Sequence, residues 1–151
     1  MVAIPPDAHE FKPEELKVRI ACVLLEGGRI LLAKHKREGR EYWTLPGGGL
    51  ERGETMAACL RRGMWEESGL EIEVGDILFL FDVIEPRRQV VNIVFRARRV
   101  GGELKPNNIP LGQRLVGMEF IPLDKLDDIE LLPPIAKEIE KSLKRQGIPY
   151  L

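Results

Sequence analysis

The stretch Gly47–Leu70, GGGLERGETMAACLRRGMWEESGL, decides how the rest of the chain is read. Gly47, Gly48 and Gly49 give backbone freedom and close approach to a ligand, and Gly53 permits a tight turn just before a helical run. Thr55 is the expected N-cap, Ala57, Leu60 and Met64 recur at helical spacing, and Gly69 is a natural stop, so the spacing predicts a helix of roughly four turns. Residues three and four apart share a helix face, which brings positions 63, 66 and 67 together. Glu66 and Glu67 carry adjacent carboxylates there, and Glu51 and Glu54 enter from the preceding turn. Like charges so close repel and raise one another's pKa unless a cation sits among them. Hard oxygen donors select magnesium or manganese, and magnesium is commonly held by a few carboxylates, waters and substrate phosphates. The expected ligands are Glu66, Glu67 and a backbone carbonyl of the glycine loop.

These residues resemble the Nudix box of the Nudix hydrolases. That pattern is Gly, five residues, Glu, seven residues, Arg-Glu, an aliphatic, any residue, Glu-Glu, any residue, Gly, an aliphatic. Gly48, Glu54, Arg62, Met64, Glu66, Glu67, Gly69 and Leu70 fall on it in register, and W-x-L-P-G-G, which commonly precedes the box, is matched from Trp43. The resemblance implies a magnesium-dependent hydrolase in which Arg62 orients neighbouring carboxylates and Glu66, Glu67 and the Gly47 carbonyl hold the ion. One position departs from the pattern. Where the family has the glutamate after its arginine, a metal ligand, general base or both, this chain has Gly63. A glycine in a helix interior costs roughly 1 kcal/mol relative to alanine, so the sequence offers no structural reason for it. Two origins stand side by side: a deliberate replacement that traps substrate, and a natural variant that uses another base or has lost activity.

At 151 residues the chain is read as one domain, residues 1–151, large enough to bury a core without staples. An apolar fraction of 44% and a charged fraction of 31% describe an ordinary soluble protein. The net charge of -1 argues against a general nucleic-acid-binding surface, while leaving room for a single nucleotide held by local cations. Cys22 and Cys59 lack metal-site spacing and read as free core thiols. No run approaches the roughly 20 apolar residues of a membrane span, and the N-terminus lacks the pattern of a secretory signal, so the cytoplasm is the expected setting. Pro5 and Pro6 make residues 1 to 14 an extended lead-in.

Two apolar runs from Leu16 to Lys36 flank Glu26-Gly27-Gly28 and predict a β-hairpin whose first strand is apolar on both faces and therefore central. Lys34, His35, Lys36 and Arg37 form a basic cluster. Lys34 and His35 are either a solvated strand end or substrate contacts, the second because in the Nudix family the end of this strand lies beside the substrate. Trp43 reads as core or pocket wall in preference to a stacking platform. Glu71–Glu85 reads as a strand pair or one long bent strand, followed by a strand opened by Arg87 and Arg88, arginines that either contact phosphates or are idle turn cations. In that strand Val91, Ile93, Phe95 and Ala97 face one side and Asn92, Val94, Arg96 and Arg98 the other. The polar segment 101–113 is an irregular connection of the kind that often selects substrate. Val116–Pro122 is a last strand whose Glu119 is either a surface acid or a distant metal or base residue. Pro133 and Pro134 open a final helix with Leu132, Ile135, Ile139 and Leu143 turned to the sheet.

Strands, helix, strands, helix imply an α+β fold with a mixed β-sheet sandwiched between helices, an α/β/α sandwich, which is also the Nudix fold the resemblance implies. The expected activity is cleavage of the diphosphate bond in a nucleoside diphosphate linked to another moiety, closest to the ADP-ribose pyrophosphatase-like group. The expected partner is a nucleotide-type small molecule, with no nucleic acid or membrane, and a homodimer is a family-level expectation. The competing class is a binding module that holds a nucleotide without turning it over, favoured by Gly63.

Overall fold

Gly27 and Gly28, at φ 56° and 74°, turn the chain between β1 (Glu15–Glu26) and β2 (Arg29–Arg37). Two consecutive positive φ values match the right-handed twist of the strands they join, which is why glycines occupy both positions. The structure is a computed structural model that describes residues 15–104 and 115–148. The lead-in over residues 1–14 and most of the 101–113 connection lie outside the described residues.

β1 is central, as its two-sided apolar pattern requires. Ile20, Cys22 and Leu24 belong to one core cluster, while Ala21 and Val23 belong to a second on the opposite face. β2 pairs with β1 only at Leu25–Ile30 and Glu26–Arg29 and then peels away. Beside β1 its place is taken by β4 (Gly47–Gly49), antiparallel from Ala21–Gly47 to Arg19–Gly49. The other edge of β1 runs parallel to β6 (Arg88–Gly102), from Glu15–Arg88 to Leu24–Ala97, and β6 pairs antiparallel with β5 (Leu70–Ile84). β3 (Arg40–Thr44) and β7 (Leu115–Pro122) flank β2. The sheet is thus mixed, and it forks into two leaves where β2 leaves β1. β5 is the bent single strand, its register shifting on either side of Ile77.

α1 (Met56–Ser68) starts where the Thr55 hydroxyl accepts from the Ala58 N–H at 3.1 Å and ends at Gly69, φ 76°, whose N–H donates to the Trp65 carbonyl at 3.0 Å. Its Cys59, Leu60 and Met64 join the first cluster. α2 (Ala136–Arg145) places Ile139 and Leu143 in the second, so the helices cover opposite faces of β1. The final helix begins at Ala136, after the two prolines. Leu131 packs in the core where Leu132 was expected, because the chain is still extended there and alternates sides. Trp43 is core, 8% exposed, and Cys22 and Cys59 are buried free thiols. No helix among the described residues is long and apolar enough to cross a membrane.

Candidate active site

Of the three glycines of β4, Gly47 is the one whose type is forced. A Cβ on it would collide with the Ile20 carbonyl oxygen and stand 2.7 Å from Ala21 Cα, whereas Gly48 and Gly49 face open space. The close approach expected of Gly47 is therefore to its own neighbour strand. Cys22 N–H donates to Pro46 O at 3.1 Å and Leu50 N–H to Val18 O at 2.8 Å. In an antiparallel ladder these bonded positions alternate with unbonded ones, so the carbonyls of Gly47 and Gly49 turn away from β1. Gly49 O accepts from Arg62 Nη2 at 3.2 Å. Gly47 O lies against α1 at Gly63, 3.7 Å from where a Gly63 Cβ would stand.

Arg62 ties the loop to the helix. Its Nε and Nη2 donate to the two carboxylate oxygens of Glu54 at 3.2 and 2.9 Å, and Glu51 N–H donates to Glu54 Oε1 at 2.9 Å. Two parallel bonds from one guanidinium fix the carboxylate in angle as well as distance. Those bonds hold the Glu54 carboxyl at about 2, far below the ordinary range, and raise the Arg62 pKa in return. Glu51 and Glu66 stand further off the same guanidinium, at 3.8 and 3.6 Å.

Positions 63, 66 and 67 divide between depths. Gly63 is buried, Glu67 half-buried and Glu66 exposed. Burial pushes the Glu67 carboxyl up, opposed by the Arg19 guanidinium. Arg19 donates to Leu45 O at 2.9 Å from a part-buried position, and burial lowers its pKa while Glu67 acts to raise it. Glu67 and Arg19 thus lie within electrostatic reach of each other without forming an ion pair.

Arg19 also borders a cavity of about 900 Å³ that opens where the two leaves of the sheet diverge. One wall is the β1–β6–β5 leaf and the other is His35, Tyr42 and Thr44. His35 Nε2 is 2.9 Å from Thr44 Oγ1, and its ring stacks on Tyr42 at 4.9 Å. Of the four expected substrate contacts, the structure brings His35 and Arg88 into the cavity wall and leaves Lys34 and Arg87 out of it. Lys34, one residue from His35, points the other way, its Nζ 5.5 Å from the Trp43 ring and 3.7 Å from Glu41. Arg87 is an exposed turn residue. Glu119 is exposed opposite Leu32, whose side chain packs in the cluster of α2, so it sits on the face away from α1. Arg19 and Asn92, which sequence reasoning did not single out, both line the cavity. Their signal was a polar residue at an inward position of an otherwise apolar strand, in VRIACVLL and VVNIVF.

The donor chemistry of this corner fits a hard divalent cation: two carboxylates, Glu66 and Glu67, and an outward-turned carbonyl, Gly47. Among the described residues no group of three or more His, Cys, Asp or Glu side chains is arranged to hold an ion, so waters and substrate phosphates would complete the shell.

A model of the NUDIX domain matches residues 15–146. The chain belongs to the Nudix family. The ADP-ribose pyrophosphatase of Methanocaldococcus jannaschii is 32% identical over 130 residues, covering 84% of this chain and 70% of that protein. The Homo sapiens 8-oxo-dGDP phosphatase NUDT18 is 38% identical over 102 residues, 67% of this chain and 31% of that protein. This chain spans about a third to a half of the length of several curated relatives it matches. The fold is that of the MutT protein from Methanosarcina mazei Go1, with a TM-score of 0.72 at 21% identity over 88% of this chain and 96% of that one. In this Nudix chain the departure at Gly63 falls beside the Gly47 carbonyl, at a buried position of the box.

Proposed function

We propose that this chain is a magnesium-dependent Nudix pyrophosphohydrolase for a nucleoside diphosphate linked to another moiety, ADP-ribose or a related nucleotide, and that Gly63 in place of glutamate lowers its turnover. The observation that carries the reading is a cavity of nucleotide size lined by Arg19, whose guanidinium is within electrostatic reach of Glu67 on the acidic helix. Relatives named as an ADP-ribose pyrophosphatase and an 8-oxo-dGDP phosphatase support the substrate class.

Bound magnesium, or manganese in its place, supplies charge neutralisation of the diphosphate and orientation of the attacking water. The chain's own residues do the rest. Glu66, Glu67 and the Gly47 carbonyl would hold the ion. Arg62, locked to Glu54, fixes the glycine strand against the helix, so these donors keep their spacing. His35 and Arg88 would meet the nucleotide from the cavity wall, which Lys34 and Arg87 do not line.

The second reading is a nucleotide-binding module without turnover, favoured by the two-carboxylate site that Gly63 leaves. A release assay with magnesium over ADP-ribose, dinucleoside polyphosphates, nucleotide sugars and oxidised nucleoside triphosphates separates the two, run on this chain and on Gly63→Glu. A positioned general base is typically worth about 10² to 10⁴ in rate, so the variant is expected to be at least about a hundredfold faster with similar substrate affinity. Similar rates would put the base elsewhere; binding without hydrolysis by either form would establish the module.

A further inference from the structure

Asn92 is a buried amide in the cavity wall with an apolar neighbour on either side along its strand. It is 6% exposed and sits on β6 between Val90 and Val94, all three lining the cavity. A carboxamide carries two N–H donors and an acceptor oxygen with two lone pairs. Asn92 uses one of these, donating from Nδ2 to the Val90 carbonyl at 3.4 Å, the long limit of a hydrogen bond. A position that served packing alone would be filled as its neighbours are, since a buried amide is costly unless it is paired.

The strand register supplies the amide's company. Phe81 of β5 is its partner on one side and Arg19 of β1 on the other, and both also line the cavity. One cross-strand row therefore runs aromatic ring, carboxamide, guanidinium, with the guanidinium end within electrostatic reach of Glu67. That sequence of groups matches a nucleotide laid along the row: a ring to stack on, a hydrogen-bonding edge, and phosphate charge.

We propose that Asn92 is a specificity-determining residue whose carboxamide reads the nucleobase, pairing with an edge that presents a donor beside an acceptor, as the amino edge of adenine does. The assignment rests on the nucleoside diphosphate reading of this site. The phosphates lie towards Arg19 and the base towards Phe81, so the amide between them receives the base edge. A site built to hydrogen-bond a substrate group rejects the analogue that lacks it, because the buried protein group is left unpaired.

The test is equilibrium binding by calorimetry, with EDTA present so that binding is read without turnover, on the full chain and on Asn92→Leu. The probes are ADP-ribose, the same molecule with a purine lacking the 6-amino group, and ADP-ribose with a deoxygenated adenosine sugar. The unmutated chain is expected to prefer ADP-ribose over the amino-less analogue by roughly ten- to a hundredfold. Asn92→Leu should lose that preference by weakening ADP-ribose alone, with its melting midpoint unchanged or raised. Asn92→Val, which copies the neighbouring residues, gives the same reading if leucine does not fit. Equal weakening of all three probes in a folded variant would overturn the assignment in favour of a packing role, and a loss confined to the sugar comparison would move the contact to the ribose and overturn it too. Binding without base preference by the unmutated chain removes the role of Asn92 alone, whereas no binding of any probe, either in EDTA or with calcium added in place of magnesium, removes the nucleotide reading beneath it.

Discussion

Glu54 and Glu67 stand at opposite ends of the same box and are held in opposite ways. Glu54 is clamped by the Arg62 fork and a backbone N–H, with its carboxyl drawn down to about 2. Among the described residues Glu67 has no such clamp. Burial drives its pKa up, and Arg19 opposes that at a distance. The difference separates two jobs for one residue type: an acid satisfied by hydrogen bonds fixes geometry, while an acid burdened by burial has charge left over for an incoming cation.

The largest effect should come from filling the gap between them. Gly63→Glu adds a carboxylate one turn before Glu67 and against the Gly47 carbonyl, and turnover of a diphosphate substrate should rise at least about a hundredfold. Equal rates in a steady-state comparison would mean that the buried end of the box is not where chemistry is limited. Next in size, Glu67→Gln should weaken magnesium or manganese affinity beyond the roughly tenfold that an outer-shell change can cost, with the melting midpoint little altered. Calorimetry giving an unchanged dissociation constant would take Glu67 out of the ion's shell and erase the contrast.

The clamp predicts a pH signature. Because the folded-state pKa of Glu54 lies near 2 and its ordinary value is 4.5, its stabilisation is complete above about 4.5 and disappears as pH falls toward 2. Glu54→Gln should therefore unfold at lower urea than the unmutated chain near neutral pH, and the two curves should converge in acid. Parallel curves down to pH 2 would show that the fork contributes nothing beyond position. The smallest effect is at Gly63 itself. Its φ is not positive and an added Cβ would meet Gly47 at 3.7 Å, ordinary contact, so Gly63→Ala should stabilise by about 0.5 to 1 kcal/mol. A lower melting temperature would mean that the β4–α1 contact cannot accept a methyl group.

Much of the fold was legible because it is written in local chemistry. Thr55 and Gly69 bracket α1, Gly27 and Gly28 turn the first hairpin, and the two-sided apolar run of β1 announces a central strand. The substrate wall was less legible because it depends on which strands meet. Lys34 and His35 are adjacent in sequence, yet the pleat sends one over Trp43 and the other into the cavity. Arg19 and Asn92 lie 73 positions apart and become neighbours only through the parallel pairing of β1 with β6. The reason for a glycine at position 47 was hidden in the same way: its crowding comes from Ile20 and Ala21, and nothing local to GGG names them.

That parallel pairing has a consequence for how the chain reaches its fold. β1 is finished at Glu26, but its long partner begins only at Arg88, so its parallel edge stays unmatched until the whole of the box and β5 have been made. Long-range parallel pairing carries a loop-closure cost before any contact rewards it, which makes it slow relative to hairpins. The β1–β2 and β5–β6 hairpins should form early and the β1–β6 zipper late. During synthesis, nascent chains that end before Arg88 would carry an apolar strand edge open to pairing with other chains, the kind of exposure that chaperones guard.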